Sequence, residues 1–220
     1  NAVVVRIMAL ARSLGGVVSG EHGIGITKLE FLTDEELKDF DRAIRMYEQN
    51  LTLQPNYVDG HMHMGFLLYR LKRYPDAIGH LTDAVKLSPK HPDAHLLLGL
   101  THLQTEQYAA ASTAFEEGIR HNPENPDLHF NLGTAYDKLN RFEDVVKAME
   151  AALRLDPKHA DALNYLGYSY AERGIRVEEA VSLIQRAVSL KPRRMARRAA
   201  SRSVPARSRC ACALLESPAT

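Results

Sequence analysis

Cysteine is nearly absent from these 220 residues: Cys210 and Cys212 are the only two, spaced as C-x-C. Without a second pair they complete no four-ligand zinc module, and they rule out a disulfide framework. Tryptophan is missing altogether. No apolar run approaches the roughly eighteen residues that a membrane helix needs. The apolar opening, residues 2–14, is interrupted by Arg6 and Arg12, and no secretory cleavage pattern follows it. The expectation is a chain without a membrane span, placed in the cytoplasm. Asn1 is not an initiator, so a preceding piece of the natural chain is expected. An excess of one charge is also missing, with a formal net charge of +1. That balance hides a split, because residues 193–220 hold seven arginines and one acid, Glu216, leaving −5 on the other 192 residues. The tail has no apolar period and is expected to be disordered. Its arginines could grip phosphates, but no aromatic residues interleave to stack bases, so nucleic acid is not the expected partner. Its alanine, arginine and serine bias also fits a shifted reading frame.

What the chain does have is a period. Pro55, Pro89, Pro123 and Pro157 stand 34 residues apart, and Gly65, Gly99, Gly133 and Gly167 keep the same interval. Such a period marks stacked helical hairpins, each unable to bury its apolar face alone. Within each unit, apolar residues recur at helical spacing, as at Met64, Leu67, Leu68 and Leu71. A second amphipathic stretch follows and stops at the proline. A mid-helix glycine costs about 1 kcal/mol relative to alanine. Repeating that cost at one position implies a close helix crossing, with Ala77, Ala84, Ala111 and Ala152 on the facing helix. Leu98, Leu132, Leu166, Tyr108, Phe115 and Phe142 fill the space between. Asp93, Asp127 and Asp161 fall near helix starts, where a carboxylate suits the free N–H groups.

These residues carry a family resemblance. Leu132-Gly133, Tyr136, Phe142, Ala152 and Pro157 resemble the signature of the tetratricopeptide repeat (TPR), and the match extends over about residues 41–192. The usual aromatic near each start is replaced by His61, His95, His129 or Leu163, and one residue is inserted within 174–177. The resemblance implies an all-α, right-handed helix-turn-helix solenoid, a TPR superhelix. It would have a half repeat over 41–57, four full units over 58–192, an irregular N-terminal segment and the disordered tail of 193–220. It implies a binding scaffold with no enzyme activity and no cofactor, taking a protein or peptide in a concave groove lined by first helices. The groove candidates are Met62, Phe66, Tyr69, Leu96, Leu100, Leu103, Phe130, Asn131, Thr134, Asp137, Asn164, Tyr165 and Tyr168. The positions that hold a carboxylate clamp in some family members are Met62, Phe66, Leu97, Asp127 and Asn131, with no cation. Capture of a terminal carboxylate is therefore not expected. Leu183, Ala187 and Leu190 close the last unit without an evident cap, and predict self-association there.

Residues 13–32, SLGGVVSGEHGIGITKLEFL, belong to no repeat. Five glycines imply tight backbone, but their order is not the dinucleotide fingerprint, and no Walker lysine is present. GGVVSGEHGIGITKLEFL resembles the C-terminal end of FAD-linked oxidases that act on 2-hydroxy acids. The resemblance covers about residues 1–40 and places Glu21 and His22 at a substrate site, one near a metal and the other moving a proton. The flavin-binding part and the histidine-rich metal motif are not in these 220 residues. The alternative function is thus a remnant of such an oxidase, inactive in this chain. Repeat text takes over abruptly at Asp41, as in a fusion. His61, His95 and His129 repeat at one position, but equivalent helices stand about 8–10 Å apart. Zinc–nitrogen bonds are near 2 Å, so one ion cannot bridge these three and no metal site is expected. They are expected at a helix–helix seam, half buried.

Overall fold

The computed structural model describes residues 34–190 except 92, with side chains from residue 40 onward. Glu21, His22, the glycine-rich front, Cys210, Cys212 and the arginine-rich tail lie outside the described residues. Nine helices and no strand occur among the described residues. They are α1 (Asp34–Leu53), α2 (Val58–Arg70), α3 (Tyr74–Leu87), α4 (Ala94–Gln104), α5 (Tyr108–His121), α6 (Pro126–Lys138), α7 (Phe142–Leu155), α8 (Ala160–Arg173) and α9 (Val177–Leu190). The chain divides into two compact units after Asn122.

In the first unit α2 pairs with α3 and α4 with α5, while α1 packs on α2 and α3 on α4. In the second, α6 pairs with α7 and α8 with α9, and α7 packs on α8. The repeating glycines explain the pairing. A Cβ built on Gly65 would lie 2.5 Å from Leu81 Cγ, and one on Gly99 would enter the Phe115 ring. At Gly133 it would meet Met149 Cε at 2.6 Å, and at Gly167 Ile184 Cγ1 at 2.7 Å. Leu81, Phe115 and Met149 are fully buried, as are Ala77, Ala84, Ala111 and Ala152. Burying one such large side chain is worth about 1.5–3 kcal/mol, which outweighs the propensity lost at its glycine.

Each hairpin turn follows one pattern. The backbone N–H groups of Arg73, Gln107, Arg141 and Ile175 donate to the carbonyls of Leu68, His102, Tyr136 and Tyr170 at 2.9, 2.9, 2.9 and 3.1 Å. These are the six-to-one bonds of a Schellman ending. The residue before each donor is left-handed: Lys72, Glu106, Asn140 and Gly174, with φ of 60, 59, 59 and 64°. The extra residue of the fourth unit falls after this turn, where Arg176 is also left-handed (φ 48°) before α9 begins. The insertion therefore changes one loop and leaves the packing alone, as expected. The second helices α1, α3, α5 and α7 each end two residues before a proline of the period, because the residue preceding proline avoids helical backbone.

Three expectations need adjustment. Helix α1 starts at Asp34 and runs unbroken across the change of sequence character at 40–41. The helix caps are not the repeated aspartates. Asp93 makes no side-chain cap bond; Asn125 Oδ1 accepts from the Asp127 and Leu128 N–H groups at 2.9 and 3.4 Å, and His159 Nδ1 accepts from Ala162 N–H at 3.1 Å. Leu183 and Ala187 are buried, because the apolar stripe of α9 turns back onto α8, and only Leu190 remains exposed. The surface expected to drive self-association is thus mostly covered.

Candidate functional site

The first helices of the hairpins supply the candidate face, and their heptad-like spacing sets which residues reach it. In the first unit Phe66, Leu96, Leu100 and Leu103 are half-buried, whereas Met62 and Tyr69 are buried. Met62 and Tyr69 join the core formed with Leu67, Leu68 and Leu81. Buried side chains present no surface to a ligand, so these two belong to the packing and not to an open wall. Burial pushes the Tyr69 phenol up to about 12, and its O–H has no hydrogen-bond partner.

In the second unit Phe130, Asn131, Thr134, Asp137, Tyr165 and Tyr168 are all half-buried, and Asn164 is buried and drops out of the face. Contacts tie α6 to α8 along this side. The Phe130 and Tyr165 rings meet edge to face at 6.1 Å, and the Tyr165 hydroxyl donates to Asp137 Oδ2 at 2.8 Å. His159 Nε2 donates to Asp127 Oδ1 at 3.1 Å, and its ring lies 5.0 Å from that of Phe130. Asn131 Nδ2 donates to the Asp127 carbonyl at 2.8 Å, and the Thr134 hydroxyl to the Asn131 carbonyl at 2.7 Å. These bonds restrict the rotamers of the side chains on this face.

The repeated histidines do sit at a seam, and they do something the sequence reading missed. Nε2 of His61, His95 and His129 bonds the carbonyls of Pro55, Pro89 and Pro123 at 2.9, 2.9 and 3.0 Å. Each ring ties a helix start to the proline that stopped the helix before. The signal was available as a proline and a histidine six residues apart in three units, with Leu163 breaking the pattern in the fourth. His61 and His95 are buried, and burial holds the His95 imidazole below its ordinary range, with the Pro89 carbonyl bond opposing. His63 and His80 are likewise lowered, chiefly by burial. Among the described residues no group of three or more His, Cys, Asp or Glu is arranged to hold a metal ion, and no helix is long and apolar enough to cross a membrane.

Known proteins agree with this architecture. No curated protein matches the chain. The solved structure of MamA is 26% identical, with a TM-score of 0.66, and covers 75% of this chain and 98% of its own. MamA from Desulfovibrio magneticus RS-1 is 22% identical, with a TM-score of 0.64, over 78% of this chain and 98% of that one. YrrB, described as a TPR protein with an unusual peptide-binding site, is 21% identical with a TM-score of 0.61, over 73% and 82%. The family model for the C-terminal domain of FAD linked oxidases matches residues 1–45 alone. Tetratricopeptide repeat models match residues 30–92, 96–144 and 132–194, and again 68–119. The glycine crossings, the Schellman turns and these matches together make the chain a member of the tetratricopeptide repeat family.

Proposed function

We propose that the chain is a protein-interaction scaffold that holds a peptide or helix of a partner against the first-helix faces of its hairpins. The observation that carries this reading is the braced α6–α8 side of the second unit. There aromatic rings and polar groups stand half-exposed and hydrogen-bonded, with Phe130 and Tyr165 resting on the core and still partly open to solvent. Half-exposed aromatics with adjacent amides and hydroxyls suit peptide capture, since the rings supply area and the polar groups set register. In the first unit Phe66, Leu96 and Leu100 offer an apolar counterpart. YrrB's described peptide site is in keeping with such a role, although at 21% identity that likeness speaks for the fold.

The test uses the chain as affinity bait with two separate variants, Phe66→Ala and Tyr168→Ala. Each should weaken capture of the proteins retained by the unaltered chain about tenfold, near 1.4 kcal/mol. The helical circular dichroism signal should stay intact. Undiminished capture by both variants would remove these faces as the binding surface.

A further inference from the structure

We propose that His61 and His80 form a two-histidine binding site for a divalent metal ion of the zinc class. His61 lies on α2 and His80 on α3, the two helices of the first hairpin, with Nδ1 to Nδ1 3.2 Å and ring centroids 5.4 Å apart. Two imidazole ligands at zinc distances of about 2.0–2.1 Å and a tetrahedral angle stand about 3.3 Å apart. The two nitrogens are therefore already at ligand spacing. The outer contact is also in place. His61 Nε2 donates to the Pro55 carbonyl at 2.9 Å, which leaves its Nδ1 as the lone-pair nitrogen. Metal-binding imidazoles commonly use their second nitrogen in this way.

His95 and His129 make the same proline bond, but their Nδ1 atoms have no second imidazole nitrogen at hydrogen-bond distance among the described residues. His95 instead stacks on His121 at 5.8 Å. The pair is thus particular to the first hairpin. It also differs from a bridge between repeat-equivalent histidines, which helix spacing forbids. Without an ion, one proton lies between the rings, with His80 Nδ1–H donating to His61. On binding, His80 moves that proton to its Nε2, both Nδ1 lone pairs turn to the ion, and no net proton is released. Burial and the neighbouring His61 disfavour positive charge at His80, and Asp83 and Asp76 on α3 with Glu48 on α1 offset this only in part. Among the described residues no third protein ligand is arranged nearby, so water completes the coordination, admitted at the half-exposed His80. A nitrogen pair of this kind suits Zn²⁺, Ni²⁺ or Cu²⁺ and not Mg²⁺ or Ca²⁺.

The test titrates Zn²⁺ into the untagged full chain with Cys210 and Cys212 changed to serine. Calorimetry gives the stoichiometry, and NMR of the histidine rings locates the ion. One ion per chain should bind, shifting the His61 and His80 ring signals. His80→Ala should weaken binding at least tenfold. Alanine already fills the equivalent positions, Ala114 and Ala148, both buried, so this variant should keep the fold, as circular dichroism will check. His121→Ala should bind as well as the starting chain. No binding, full-strength binding by His80→Ala, or loss in His121→Ala would each overturn the site.

Discussion

At Gly99 an added methyl group has nowhere to go. The Phe115 ring occupies the position, is fully buried and cannot flex away as a linear chain would. At Gly133 the obstacle is Met149 Cε, the far end of a flexible side chain, with Ala148 Cβ at an ordinary 3.4 Å. Alanine gains about 1 kcal/mol in helix propensity at either site. Overpacking at a rigid site costs about 1–3 kcal/mol, and little where a methionine can turn aside. Gly99→Ala should therefore destabilise by up to about 2 kcal/mol, and Gly133→Ala should be neutral or stabilising by up to about 1 kcal/mol. Urea unfolding of both variants checks this, and the reverse ranking would refute the packing argument. The need for small residues was legible in the sequence, because the cost recurs at one place in every unit. Which of them faces a rigid neighbour was not, since Phe115 and Met149 fill the same repeat position and differ only in stiffness. The left-handed Lys72 and Glu106 were also hidden, as only Asn140 and Gly174 carry residue types that such backbone favours.

Elements join at the proline seams, and there the histidines bring a pH dependence. His95 opens α4 and is buried. Its imidazole is lowered from the ordinary 6.5 first by burial; the Pro89 carbonyl bond and Glu117 pull it up, and His121 pulls it down. A lowered value means that the folded state binds the proton less readily than the unfolded chain. The stabilising contribution is then complete above 6.5 and is lost as the pH falls through the folded value. Leu163 fills the same repeat position fully buried, so leucine fits the site. The unaltered chain should lose thermal stability as the pH drops from above 6.5 towards about 5. His95→Leu should give a flatter profile over that range. Equal slopes for the two proteins would show that His95 is not the group responsible. The seam itself was expected from the recurring histidines. Their proline partners were not, because a bond spanning six residues depends on how the loop folds and not on any local preference.

For the whole chain, the 34-residue period made the architecture legible, since identical hairpins leave few other ways to bury their apolar sides. The candidate face was legible only in outline. Met62, Tyr69 and Asn164 share the spacing of Phe66, Phe130 and Tyr165 yet are buried, because which neighbour covers a side chain is decided between helices and not along one. The chain also carries a second sequence character, the oxidase-like residues 1–45, whose model overlaps the repeat model from residue 30. If that segment carried the function, Glu21 and His22 would be the residues that matter. A flavin site needs far more chain than this segment supplies within the 220 residues, while the proposed face on α6 and α8 draws on none of its residues. A chain with Glu21→Gln and His22→Gln together should therefore capture the same partners as the unaltered protein. Both should purify colourless, without a flavin absorbance band. Loss of capture in the double variant, with Phe66→Ala and Tyr168→Ala still fully active, would transfer the function from the repeats to the front of the chain.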